Sequence, residues 1–166
     1  KMNLGHAYTA TTKRDENGSL PSRTKHMNTI VTHMSPDLDA IASVWLIKSF
    51  YPQFNTATVV YVPAGKTFNN MPADQDPSII HADTGLGRFD HHQNNEYTCA
   101  SEKIFNYLKD QELLKTHQIE PLERLVEVIT FFDHFGESKL PDADSDTYDF
   151  LIIGIIDGLK MLYQDD

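Results

Sequence analysis

The stretch Thr29-Ile30-Val31-Thr32-His33-Met34-Ser35-Pro36-Asp37-Leu38-Asp39-Ala40 decides the fold. Thr29-Ile30-Val31 is a short β-branched apolar run of the kind that forms a strand buried on both faces of a parallel sheet. The chain then turns polar. Pro36 disfavours the helical conformation at Ser35, so the turn completes before Asp37. Leu38, Ile41, Ala42, Trp45, Leu46 and Ser49 follow at helical spacing and predict a helix with Trp45 and its neighbours in the core. Pro52 ends it.

Outward from this unit the pattern alternates. Thr56 to Val62 is β-branched and aromatic and reads as a second strand, closed by Pro63-Ala64-Gly65. Ser78 to Ala82 reads as a third buried strand and Arg88-Phe89-Asp90 as a short fourth. Beyond residue 97 the chain turns helical. Ala100 to Leu108 predicts one helix. Pro121 would open another, with Leu122, Leu125, Ile129 and Phe132 along one stripe, and Thr147 to Tyr163 a last, strongly apolar one. The expectation is an α/β domain, a parallel β-sheet flanked by helices, with a helical C-terminal part.

In open α/β sheets the ligand site lies beyond the carboxyl ends of the strands. His33, Asp37 and Asp39 follow the first strand, Asp83 the third, and His91 and His92 the expected fourth, and every one is a metal-ligand type. Asp37 beside a helix start could equally be a cap. Asp83 ends a buried strand, where an unpaired carboxylate is costly. Asp133, in Phe-Phe-Asp-His-Phe-Gly-Glu at a helix end, is either a further ligand or a satisfied polar residue.

Thr32 to Ser43, Asp83, Asp90-His91-His92 and Asp133, in that order, resemble the four motifs of the DHH phosphoesterase superfamily. That superfamily includes RecJ-type exonucleases, oligoribonucleases, cyclic-dinucleotide phosphodiesterases and family II inorganic pyrophosphatases. The resemblance implies a Rossmann-like DHH domain over residues 27–166 and two divalent ions. His33, Asp37 and Asp83 would hold one ion. Asp39, Asp83, His91 and Asp133 would hold the other, with Asp83 bridging. His92 would face the substrate phosphate, and Asp90 would orient a ligating imidazole from behind. Gly87 to Gln93 also resembles nucleic-acid-linked hydrolases related to this superfamily. Carboxylates mixed with imidazoles favour Mn²⁺, with Mg²⁺, Fe²⁺ or Co²⁺ as alternatives, over a closed structural zinc site. Two ions roughly 3.5–4 Å apart would activate water and stabilise both attacking and leaving oxygens.

Other features carry less. Pro63 to Thr67 ends like a phosphate-binding loop, but Val60 stands where the first glycine belongs. Gly85 and Gly87 lack the third glycine of a dinucleotide fingerprint. Lys66 and Arg88 are candidate phosphate contacts or plain surface charges. His81 reads as a core histidine. His6, His26 and His117 read as incidental, and Asp142, Asp144, Asp146 and Asp149 as a solvated acidic loop. Cys99 is the single cysteine, with no base arranged beside it in sequence, so no intramolecular disulfide can form.

With 166 residues the chain fits one domain, and its 24 acidic against 14 basic residues give a net charge of −10. The lack of a basic stripe disfavours a grip on long nucleic acid and favours a small phosphorylated substrate or a short nucleic-acid end. No apolar run is long enough to span a membrane and no signal-like stretch opens the chain, so a cytoplasmic location is expected. Residues 1–26 are polar and aperiodic. They read as a flexible arm, or as an extension before a native start near Met27.

DHH enzymes usually carry a second, substrate-gripping C-terminal domain, and no such motif is found here. The expectation is then a stand-alone catalytic domain, a part of a longer chain, or a homo-oligomer that supplies the missing wall. The leading expectation is a Mn²⁺-dependent phosphoesterase acting on a short oligonucleotide or cyclic dinucleotide. The alternatives are a pyrophosphatase or nuclease variant, and a metal-binding module without catalysis.

Overall fold

Thr29–His33 forms β1, and the polar turn after it leads directly into α1, Leu38–Phe50, in a computed structural model that describes residues 27–163. The expectation for residues 1–26 lies outside the described residues. Asp37 caps α1 by accepting from the Ala40 N–H at 3.0 Å. Ser35 takes the left-handed conformation (φ 55°), so it leaves the right-handed helical region ahead of Pro36, as expected. Tyr51, before Pro52, is extended and stops the helix.

β2 is Thr58–Val62 and β3 is Ile79–His81. The sheet has three parallel strands in the order β2-β1-β3. Arg88-Phe89-Asp90 is a turn rather than a fourth strand. Its one ladder-like bond, Asp83 N–H to the Phe89 carbonyl at 2.9 Å, folds the segment back on itself rather than onto the sheet edge.

Three helices follow, α2 (Ala100–Asp110), α3 (Thr116–Asp133) and α4 (Ile152–Leu162). α2 packs between α1 and α3. Ile30, Leu46, Ile47, Ile80, Ile104, Phe105, Leu108, Leu122 and Val126 make the core between sheet and helices. The architecture is α/β and compatible with a Rossmann-like fold. Among the described residues no helix is long and apolar enough to cross a membrane.

Several sequence expectations change. α1 buries Asp39, Ala40, Ala42, Ser43, Leu46 and Ile47, while Ile41 (42% exposed), Trp45 (44% exposed) and Ser49 face outward. Trp45 is therefore not core; its ring meets Phe50 edge-on. α3 begins at Thr116, not at Pro121, because Gln118 turns back to accept from the Lys115 N–H at 2.9 Å and starts the helix a turn and a half earlier. Its buried stripe is Leu122, Val126, Ile129 and Thr130, with Leu125 exposed and Phe132 only partly covered. The final helix splits into a tight turn, Asp146–Phe150, and α4, with extended Leu151 between them. No side chain of α4 is fully buried.

Candidate metal centre

The register of the sheet builds the site. Val31 pairs with His81 across β1 and β3. Two residues further on, that register sets His33 beside Asp83 at the carboxyl edge of the sheet. Beyond β3 the chain reverses tightly, with Asp83 (φ 56°), Gly85 (φ 79°) and Leu86 (φ 57°) all left-handed. Gly85 is needed there. A Cβ on it would sit 3.0 Å from the Thr67 methyl and 3.2 Å from the His81 ring. The reversal returns Asp90, His91 and His92 to the same edge.

His33 Nε2 lies 3.1 Å from Asp83 Oδ2 and 3.8 Å from Asp37 Oδ2. The other ring nitrogen, Nδ1, donates to the Met34 carbonyl at 2.9 Å, which aims Nε2 at the two carboxylates. The bond to Asp83 outweighs burial and pushes the His33 pKa up to about 9. Asp37 serves both readings left open by the sequence. One oxygen caps α1 and the other faces His33.

The opposite oxygen of Asp83 faces a second group. Asp83 Oδ1 and Asp133 Oδ2 each lie 3.5 Å from His91 Nε2. All three atoms are buried and have no hydrogen-bond partner. Unpaired buried polar atoms cost about 1–3 kcal/mol each, and three converging on one point fit a bound cation. Burial raises the Asp133 pKa, and the facing Asp83 carboxylate raises that of His91. Burial would also raise Asp83, but His33 and His91 outweigh it and the net shift is downward.

Asp39 is 1% exposed and 4.0 Å from His91 Nε2. Its two oxygens accept from the Ala100 and Ser101 N–H groups at 2.7 and 2.8 Å. It thus caps α2 from another helix, where the dipole favours a carboxylate. Burial, then the Asp83 charge, shift its pKa upward.

Asp90 is buried and fully engaged. Oδ1 accepts from His92 Nδ1 at 2.7 Å and from the His92 N–H at 3.1 Å, and Oδ2 from the Leu86 N–H at 2.7 Å. The imidazole it orients is that of His92, whose side chain is 58% exposed. With Nδ1 committed to Asp90, Nε2 is the nitrogen left to meet a ligand.

Among the described residues three groups have ligand atoms within 4.8 Å of one another: His33, Asp37 and Asp83; Asp83, His91 and His92; and His91, Asp133 and His134. Arg88 is not drawn to them. Its guanidinium pairs with Asp74 at 3.6 Å and lies over the rings of Phe89 and Tyr107. His81 is a core residue that accepts from the Phe68 N–H. Cys99 is buried between Ser101 and Thr130, and burial pushes its pKa up to about 12, which favours the thiol over the thiolate.

Sequence reasoning missed two neighbours of the cluster. Lys103 donates to the Asp90 carbonyl at 2.7 Å. His134 sits 3.9 Å from Asp133 Oδ2, with Tyr97 stacked on its ring. Only His134 left a trace in sequence, as the neighbour of a candidate ligand. Against known proteins the chain matches no family model, no curated protein and no solved structure.

Proposed function

We propose that this chain is a two-metal phosphoester hydrolase of the DHH type, acting with Mn²⁺ on a small phosphoester such as a short oligonucleotide or cyclic dinucleotide. The observation that carries it is the position of Asp83. One oxygen faces His33 beside Asp37, and the other faces His91 beside Asp133. A carboxylate shared by two imidazole–carboxylate groups is suited to bridge two cations.

His33, Asp37 and Asp83 would hold one ion, and Asp83, His91 and Asp133 the other. Such a pair supplies an activated water and charge stabilisation for the attacking and leaving oxygens. The chain's own residues do the rest. Asp83, in its left-handed turn, fixes the spacing. Asp90 holds Nδ1 of His92, so that Nε2 can donate to a phosphate oxygen when the ring is protonated. Phosphoryl transfer depends mainly on positioning and charge stabilisation, so no protein nucleophile is needed.

The test is Mn²⁺-dependent hydrolysis of bis(p-nitrophenyl) phosphate by the wild type and Asp83→Asn. Turnover in the first and none in the second supports the reading. Equal turnover in both defeats it.

A further inference from the structure

We propose that Tyr97 is a stacking platform for a nucleobase, which makes the substrate a nucleotidyl phosphoester rather than a bare phosphate or pyrophosphate. The inference rests on the hydrolase reading above and names the substrate class of that site.

Tyr97 lies in the segment that joins His92 to α2, and it is 62% exposed. It is nevertheless held in place. Its ring stacks on that of His134, with centroids 4.4 Å apart and planes 28° from parallel. The next residue, Thr98, accepts from His134 Nε2 through its carbonyl at 3.0 Å. The backbone N–H of His134 donates to the Thr130 carbonyl at 3.2 Å, at the end of α3. Two consecutive residues therefore grip one imidazole, and that imidazole is anchored to a helix. One face of the Tyr97 ring is covered by His134, and its exposure leaves the other face to solvent. An aromatic ring already fixed in this way loses little freedom when a flat ligand covers it.

The platform stands beside the metal centre. The ring centroids of His134 and His91 are 6.2 Å apart, and the ligand atom of His134 lies within 4.8 Å of those of His91 and Asp133. A row of rings thus runs from buried His91 through part-buried His134 to exposed Tyr97. A nucleotide laid along it has its phosphate at the ligand cluster and its base at the outer ring. Charge points the same way. With a net charge of −10 and no basic stripe, the chain has little electrostatic hold on a polyanion. Stacking needs no charge, and every base offers a flat π-face. Pyrophosphate has no such face and would leave the ring unused.

The experiment compares two esters with the same leaving group, thymidine 5′-(p-nitrophenyl phosphate) and methyl p-nitrophenyl phosphate. Both are given with Mn²⁺ to wild type, Tyr97→Ala and Tyr97→Phe. Calorimetric binding of adenosine 5′-monophosphate and of ribose 5-phosphate is measured on the same proteins. The wild type should prefer the thymidine ester in kcat/KM. In Tyr97→Ala that preference should fall about tenfold or more, chiefly through KM, on the scale of one base–aromatic stack, and Tyr97→Phe should keep it. Adenosine 5′-monophosphate should bind Tyr97→Ala no better than ribose 5-phosphate does. An unchanged preference in Tyr97→Ala would overturn the inference. That holds if both esters decline together, as they would if Tyr97 only steadied His134, and if neither declines. Should the wild type hydrolyse neither ester, the hydrolase reading fails and the binding pair decides alone. Adenosine 5′-monophosphate bound equally by wild type and Tyr97→Ala, or not bound at all, would then overturn the platform as well.

Discussion

His33 and Asp83 stand at the carboxyl ends of adjacent parallel strands, with Nε2 and Oδ2 3.1 Å apart. The pairing of Val31 with His81 fixes this contact two residues before either side chain is reached. Strand register, more than loop conformation, therefore sets the first edge of the site. The bent segment after β3 then has to bring only Asp90, His91 and His92 to a point already defined.

Asp83→Asn keeps the shape of the side chain and removes the charge shared by both groups. Its affinity for Mn²⁺ should fall by more than about 100-fold, with hydrolysis lost in parallel. The ion-free protein should also melt lower at neutral pH, because the ion pair with His33 is lost with the charge. Calorimetry and a thermal melt on the same preparation separate the two effects.

The raised pKa of His33, about 9, gives binding a direction with pH. Without an ion the ring is protonated at neutral pH, and an incoming cation must displace that proton. Mn²⁺ affinity should therefore weaken as pH falls below about 9, and protons should be released on binding at pH 7. Titrations in buffers of different ionisation enthalpy measure that release directly. The stability of the ion-free fold runs the other way. The contribution of the His33–Asp83 pair is fully present below the ordinary histidine value of 6.5 and is lost as pH rises through about 9.

Asp39→Ala tests the long-range cap. It removes two charge-assisted bonds to Ala100 and Ser101 and leaves two buried N–H groups unpaired. A loss of about 2–4 kcal/mol is expected, or roughly 5–15 °C in melting temperature for a domain of this size. Asp39→Asn, which keeps one acceptor oxygen, should lose less. Equal melts for wild type and Asp39→Ala would show that the cap contributes nothing.

The same residue explains where the sequence could be read and where it could not. β1 and β3 were legible because apolar β-branched runs ending in His33 and just before Asp83 have few other uses. The face of α1 was not. Ile41 and Trp45 are its most hydrophobic outward residues, yet the buried face carries Asp39 and Ser43, because Asp39 must reach the first N–H groups of α2. A polar residue buried by a partner 61 positions away leaves no local signal. The start of α3 was misread for a local reason, since Gln118 capping Lys115 competes with the stronger-looking signal of Pro121. In α4 the apolar run was plain, but nothing in its sequence says whether a neighbour covers it. Six proposed ligands gather at one edge, whereas Arg88 is diverted to Asp74 and two aromatic rings.

His92 and Asp90 supply the sharpest separation of binding from turnover. Asp90 lies behind His92, accepts from its Nδ1 and from two backbone N–H groups, and takes no part in the three ligand groups. If His92 Nε2 meets the substrate phosphate, His92→Gln should lower kcat by about 10²–10⁴-fold, the range for a positioned proton donor. Two Mn²⁺ should still bind, with affinities within a few-fold of wild type. Asp90→Asn should reduce kcat less, because an amide oxygen can still accept from Nδ1 while the imidazolium loses its counter-charge. Loss of an ion in His92→Gln would instead assign His92 to the ligand shell beside Asp83 and His91, whose ligand atoms lie within the same 4.8 Å. The phosphate contact would then have to come from another group, and Lys103, held against the Asp90 carbonyl, is a cation to examine.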